Sequence, residues 1–459
     1  MMRSRASAVW VALAAVATTA GCGSNNDSRS VSSTDGGSSN SGGSSNSAGS
    51  SNSGGSSNSA GSSNSAGSGN SAGSSNSGGS GNNAGSSNSG GSSNSGGSSS
   101  GGTSPSSGGS SGTTPPLPDP KDGPAAGNPD GHATVPTGGQ AEDVSKPTTV
   151  IGTGTPASCT GDAVVAAVAK GGVITFNCGP DPATIVLTTT AKVFNNTAPK
   201  LVIDGGNKIT LSGGGKIRIL YMSTCDKAQV YPAGPGDCNT NAGIQLVVQN
   251  ITFSGGNSKS IPDGTNNAGG GGAIYAQGGS LKVVNSRFFN NVCADLGSDL
   301  GGGAIRKLDY LVASGAGPAR PVWVVGSTFG GKTGYGNACA NGGALSSIGV
   351  SWNIINSLLS FNTAVGHGAN SGQGGNGGAI YNDGNEIVMN VTSSVIEDNM
   401  ANEGGSAIFF VSNDKSGSIT IKDSTTQRNP RGTFETPNLP GFYVIAKQPA
   451  VVVNSQILR

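Results

Sequence analysis

The stretch Gly377-Gly378-Ala379-Ile380, followed by Ser394-Val395-Ile396-Glu397-Asp398-Asn399, decides how this chain folds. Its first half recurs at Gly271–Ile274, Gly302–Ile305 and Gly342–Leu345, and in altered form at Gly404–Ile408, where Ser406 intrudes. Its second half, Ser-x-apolar-x-x-Asn, recurs as Ser286/Phe288/Asn291, Ser357/Leu359/Asn362 and Ser424/Thr426/Asn429. A further copy, Ser327/Phe329, carries Lys332 where the Asn belongs. A unit of about 28 to 40 residues made of short β-type runs marks a solenoid, in which each unit buries its apolar face only against its neighbours.

In such a stack, equivalent positions of successive coils lie about 4.8 Å apart, so like sits on like. Ile274, Ile305, Leu345, Ile380 and Ile408 are expected to form one inward ladder, and Phe288, Phe329, Leu359 and Ile396 another. Asn291, Asn362, Asn399 and Asn429 are expected in turns, where amides bond along the stack and asparagine tolerates positive φ. The paired glycines permit turns where a Cβ would clash. Upstream, Thr184–Leu187, Leu201–Ile203, Ile209–Leu211, Ile217–Tyr221, Ile244–Val248 and Ile251–Phe253 are short apolar runs between Gly, Asn and Asp. No segment from Ser280 to Arg459 has a helical period, which disfavours a βαβ arrangement. Asp162–Gly172 does have helix grammar: Thr160 or Asp162 as cap, an Ala/Val body, Lys170 in the last turn and Gly171 for the exit. Such a helix suits the plug that closes a solenoid's open end. The fold class expected is all-β: a right-handed, single-stranded parallel β-helix with an N-terminal capping helix, over residues 145–459.

Ahead of it, residues 1–21 read as an export signal. Arg3 and Arg5 precede the apolar run Val9–Ala17, and Thr19-Ala20-Gly21-Cys22 resembles the lipobox of bacterial lipoproteins, with Cys22 as the lipidated residue. The other reading is an ordinary secretory signal cut near Ala20. Gly23, in place of a retention Asp, favours the outer membrane. Residues 22–144 are expected to be a disordered tether, rich in Ser, Gly and Asn and then in Pro, because a segment with so little apolar surface cannot offset its conformational entropy. Its coil of about 90 residues would span roughly 50–60 Å.

The 459-residue chain carries a formal net charge of +1, which argues against nucleic acid as a partner. Membrane attachment is expected through the lipid alone, and a monomer is expected. Besides Cys22 there are six cysteines: Cys159, Cys178, Cys225, Cys238, Cys293 and Cys339. An even number fits disulfides in an oxidising compartment; pairing of sequence neighbours is the simplest of many connectivities. No Cys-x-x-Cys is present, and His132 and His367 sit among glycines, so neither a metal nor another cofactor is expected.

Gly-Gly-Ala-Ile paired with Phe-x-x-Asn resembles the repeat of the chlamydial-type polymorphic outer-membrane proteins, and Asp162–Phe176 resembles the capping helix and first strand of pectate-lyase-like right-handed β-helix proteins. The resemblance covers roughly residues 150–459 and implies a β-helix on a cell surface in a family associated with adhesion. The C-terminal membrane barrel of that family is not expected after Val451–Leu458, and the lipid anchor is expected to take its place.

Lyases of the pectate-lyase-like fold need clustered carboxylates for Ca²⁺, or a Lys/Arg base beside groups that neutralise a uronate. Glycosidases need paired carboxylates. Here the acids lie in separate loops: Asp295 with Asp299, Asp383 with Glu386, and Glu397, Asp398 and Glu403. Gly366-His367-Gly368 resembles a polygalacturonase tripeptide whose Asp-Asp and Asn-Thr-Asp partners are missing. Arg306 with Asp309 is the nearest base-and-acid pair, explained more simply as a structural ion pair. No catalytic residue is assigned, and Ca²⁺ enters only with the lyase alternative. If each ladder Ile points inward, the next residue points out. That column reads Tyr275, Arg306, Ser346, Tyr381, Phe409, and Tyr275, Arg306, Tyr381 and Phe409 are candidates for stacking on sugar rings or engaging a cell-surface partner. The alternative is that they pack along the outside under loops. The function expected is a surface-tethered, non-enzymatic protein of adhesion, glycan binding or envelope architecture; the alternative is a polysaccharide lyase or glycoside hydrolase acting on acidic polysaccharide.

Overall fold

The computed structural model describes residues 117–197, 199–230, 238, 243–261, 263–264, 267–309 and 320–459. The export signal, Cys22 and the tether as far as residue 116 lie outside the described residues. What is described is almost entirely β, with a single α-helix.

Three long parallel sheets of ten, nine and eight strands carry the chain, which visits them in turn. One circuit runs from Ser280–Val284 in the first sheet to Arg287–Phe289 in the second and Ile305–Leu308 in the third, then returns to the first at Val322–Val325. This topology is compatible with a parallel β-solenoid. Each strand pairs in register with its counterparts in the coils before and after. In the third sheet Leu220, Ile274, Ile305, Leu345, Ile380, Ile408 and Phe442 stand one over another. In the second sheet Phe253, Phe288, Phe329, Leu359 and Ile396 do the same. The three phenylalanines stack with nearly parallel rings, with ring centroids 5.1 and 4.6 Å apart. These ladders are fully buried and form one continuous core. Truncating a phenylalanine in such a core typically costs about 3–5 kcal/mol.

Polar ladders fix the corners. The backbone N–H of Ser286 donates to Ser327 Oγ, Ser327 to Ser357, Ser357 to Ser394, Ser394 to Ser424 and Ser424 to Ser455, at 3.0–3.2 Å. Asn291, Asn337, Asn362, Asn399 and Asn429 form a second buried ladder, each side-chain N–H donating to the next amide oxygen at 2.9–3.1 Å. Here the structure adds one rung and corrects one expectation. The copy with Lys332 does not break the ladder, because a short excursion delivers Asn337 to the vacant rung. Nor do the ladder asparagines adopt positive φ. That conformation falls on the residues just before the ladders: Asn285, Asn356, Ser393 and Asp423 at one corner, Asn290, Phe361, Asp398 and Arg428 at the other.

The paired glycines divide the labour. The first of each pair has positive φ, as at Gly271, Gly302, Gly342 and Gly377. The second, at Gly303 or Gly343, sits so close to the next rung's backbone that a Cβ would collide with the carbonyl of Gly343 or Gly378. Helix α1, Gly161–Lys170, closes the first coil. Thr160 Oγ1 accepts from Ala163 N, Gly171 ends the helix at φ 77°, and Val164, Ala167 and Val168 are buried. Disulfides join Cys159 to Cys178, Cys225 to Cys238 and Cys293 to Cys339.

The described residues include 117–144, the last part of the expected tether. Residues from 117 onward lie as a strap across the outside of the coils, because the strap finds partners for its backbone there. Gly127 N donates to Thr328 Oγ1, Asn128 N to Asn356 O, and Asn356 exchanges two 2.9 Å bonds with Ala133. Gly138 and Gly139 pack flat on Trp323. Farther along, Glu142 pairs with Lys282 and, at 2.6 Å, with Lys200.

Candidate functional site

The residue after each third-sheet ladder aliphatic faces out of the coil, and register places Tyr221, Tyr275, Arg306, Ser346, Tyr381, Phe409 and Tyr443 in one column. The structure brings the four binding candidates together in that line. It does not leave them open: Tyr275 and Arg306 are each 3% exposed, Tyr381 is 0% and Phe409 is 4%. Of the two readings of this column, open for binding or packed along the outside under loops, the burial fits the second. Loops between the second and third sheets fold back over it, and the side chains fill the space beneath.

At one end of the column Tyr221 and Tyr275 stack with centroids 5.6 Å apart, and the Arg218 guanidinium lies over both rings. Arg218 donates to the carbonyls of Gly270 and Gly271 at 2.7 and 3.0 Å, and burial draws its pKa down to about 10. Arg306 donates to Gly269 O at 2.8 Å. Two arginines thus hold the backbone carbonyls at the entry to the Gly271–Ile274 turn. Asp309, expected beside Arg306, pairs with Lys307 at 3.4 Å and with Arg320 at 2.9 Å.

At the other end Tyr381, Phe409 and Tyr443 stack at 5.1 and 5.2 Å, with Phe434 edge-on to Tyr443. The Tyr381 hydroxyl is the chemical centre of this half. It accepts from Asn370 Nδ2 at 3.1 Å and lies 3.3 Å from Asp299 Oδ1 and 3.2 Å from Asp383 Oδ2. Its one proton is shared between two carboxyls that are 84 positions apart in the chain, counted from their numbers. Burial raises the Asp383 pKa, and the Asp299 charge adds to this; the Asn413 amide and the Tyr381 hydroxyl oppose it. Burial likewise pushes the Tyr381 phenol well up. Asp299 is solvent-exposed and Asp383 half-buried.

Sequence reasoning kept Asp299 and Asp383 in separate loops. They meet because Asp383 is the fourth residue of Ile380–Gly384, while Asn341 pins the loop ahead of Asp299 by donating to the Gly297 and Ser298 carbonyls at 3.1 and 2.8 Å. Asn341 directly precedes a Gly-Gly-Ala element, as Asn376 does; that recurrence was the one available signal. His367 lies exposed beside Asn402, 3.3 Å away. Nearby, Thr433 and the Gly368 N–H hold the Glu403 carboxyl below its ordinary pKa. Among the described residues, no three His, Cys, Asp or Glu side chains converge as a metal site requires. Comparison with family models, curated proteins and solved structures found no match.

Proposed function

We propose that this chain is an exported lipoprotein, anchored through Cys22 at the outer membrane or cell surface, and that its right-handed parallel β-helix stands on the Ser/Gly/Asn-rich tether and acts without catalysis in adhesion, glycan binding or envelope architecture. The observation that carries the non-enzymatic part is the covered outward column. Its aromatic rings stack on one another, its arginines are spent on backbone carbonyls, and Asp309 is matched by two cations, so the groups a catalytic groove would present are used in holding coils together. The three disulfides support an oxidising compartment, and the Arg3/Arg5, Val9–Ala17 and Cys22 pattern supports export and lipidation. The test is metabolic palmitate labelling with membrane fractionation in a bacterial host. Label on the wild-type chain that disappears in Cys22→Ala, with release into the soluble fraction, is expected; equal release of both chains contradicts the anchor.

One observation favours the polysaccharide-cleaving alternative. Two carboxyls share the Tyr381 hydroxyl, one exposed and the other half-buried with a raised pKa, and such inequality separates acid from base in glycosidases. Incubation with pectin and alginate, read as new reducing or unsaturated ends, decides between the readings. Release by the wild-type chain that Asp383→Asn abolishes would replace the non-enzymatic reading.

A further inference from the structure

Where the strap crosses the corner between the first and second sheets, it borders an open cleft of about 300 Å³ against the coils. One wall is the strap's Ala125 and Ala126; the floor includes Ile251 and Thr252; the opposite wall is Arg287 with the amides of Asn207, Asn250 and Asn285. The size is at the low end of small-molecule sites, enough for a single compact ligand.

Arg287 is held ready in this cleft. Its Nε donates to Thr252 Oγ1 at 2.8 Å, and its guanidinium lies 5.7 Å from the Phe289 ring centroid. Among the described residues its two terminal nitrogens make no hydrogen bond or ion pair, so the edge that binds a carboxylate bidentately is free. Burial lowers the Arg287 pKa, which marks a charge poorly compensated where it sits. Asp204, which Asn250 contacts, is occupied: Gly206 N, Gln249 Nε2 and Asn250 Nδ2 donate to it at 2.7, 2.7 and 2.9 Å.

The amide wall is equally ordered. Asn285 Nδ2 donates to Asn207 Oδ1 at 2.9 Å and to Asn250 Oδ1 at 2.7 Å. Among the described residues this leaves the side-chain Nδ2 of Asn207, with its two N–H, and the side-chain Oδ1 of Asn285 without hydrogen-bond partners, a donor group and an acceptor at the cleft. Such a pair suits hydroxyl groups, which both donate and accept. We propose that this cleft is a binding site for a compact polyhydroxylated carboxylate, with the carboxylate on Arg287, hydroxyls on Asn207 and Asn285, and a carbon face against Ala125 and Ala126. The site is independent of the tether and of any catalysis, and it exists only because the strap is folded onto the coils.

The test is titration calorimetry on the full chain with sodium glucuronate (ring form) and sodium gluconate (open chain), with glucose and sodium sulfate as controls. Saturable binding of glucuronate or gluconate is expected, with glucose weaker by at least about ten-fold, the scale of one charge-assisted bidentate contact. Which carboxylate binds more tightly distinguishes a ring from an open-chain ligand. Arg287→Gln should weaken binding by at least about ten-fold at an unchanged melting temperature. Ala126→Phe fills the cleft while leaving Arg287 in place and should abolish binding without altering the charge. The proposal is overturned if neither carboxylate binds saturably by about 20 mM, if glucose or sulfate binds as well as the carboxylates, or if Ala126→Phe binds like the wild type.

Discussion

Replacing Asn362 by Ala removes the middle rung of the asparagine ladder. Its carboxamide accepts from Asn337 N and Nδ2 at 3.1 and 2.9 Å, and donates to Phe329 O, Ser360 O and Asn399 Oδ1 at 3.0, 3.1 and 2.9 Å. Asn337, Asn362 and Asn399 are at most 1% exposed, so water does not readily replace these bonds. A buried group left without a partner costs about 1–3 kcal/mol, and two or three such groups after relaxation set the loss at about 3–5 kcal/mol. Asn362→Asp separates the two halves of the argument. It keeps the acceptor for Asn337 but turns a carboxylate toward the Phe329 and Ser360 carbonyls. It should therefore be at least as damaging as Ala at pH 7 and recover partly when protonated at acid pH. Denaturant unfolding followed through Trp323 and Trp352 fluorescence reads both variants, with Thr184→Ala on the exposed face of the second sheet as a control expected within about 0.5 kcal/mol of wild type. A loss below about 1 kcal/mol for Asn362→Ala, or a neutral Asn362→Asp at pH 7, would refute the reasoning.

Lys307 is fully buried, donates to Leu308 O at 2.9 Å, and has its pKa drawn down to about 8 by burial against the opposing pull of Asp309. Its proton is held more tightly in the unfolded chain, so stability should rise as pH rises from about 8 to about 10.5. Lys307→Met should remove that rise and be neutral or stabilising at pH 7, since Arg320 still pairs with Asp309; thermal melts across this range check it, and a large loss at pH 7 contradicts it. Asn356→Ala breaks both bonds to Ala133 in the strap and should speed limited proteolysis between residues 117 and 144 by about 5–30-fold, the factor for 1–2 kcal/mol, beyond the global loss of about 1 kcal/mol that alanine at the positive φ of Asn356 brings. Unchanged cleavage would mean that these bonds do not hold the strap.

The stacked β architecture could be read from the Gly-Gly-Ala and Ser-x-apolar-x-x-Asn elements because each repeats at a position where only one residue type fits. A second glycine that collides with the next rung, a serine that caps it and an asparagine that bonds along the stack leave a periodic trace. What was not legible is what breaks the period. Asn337 rescues the Lys332 rung through an excursion whose length no repeat specifies. The Pro/Gly-rich composition of residues 117–144 hid the strap, because its hold on the coils comes mainly from backbone groups and glycine contacts that composition does not reveal. The outward direction of Tyr275, Arg306, Tyr381 and Phe409 followed from strand alternation, but their burial depends on loops of irregular length. For the same reason the meeting of Asp299 with Asp383, and the cleft at Arg287, needed the three-dimensional arrangement.

Asn353 and Asn390 face each other across neighbouring rungs of the first sheet, paired in register with Asn390 Nδ2 donating to Asn353 Oδ1 at 3.0 Å. Cysteines substituted at both positions should close a disulfide on mild oxidation, since adjacent parallel strands bring Cα atoms to about 5 Å. A control pair at Asn353 and Thr392, displaced by two residues along the strand, should not. Efficient closure of 353–390 with none at 353–392 is the result that in-register stacking requires. Closure at 353–392 in place of 353–390, or at neither, would contradict it.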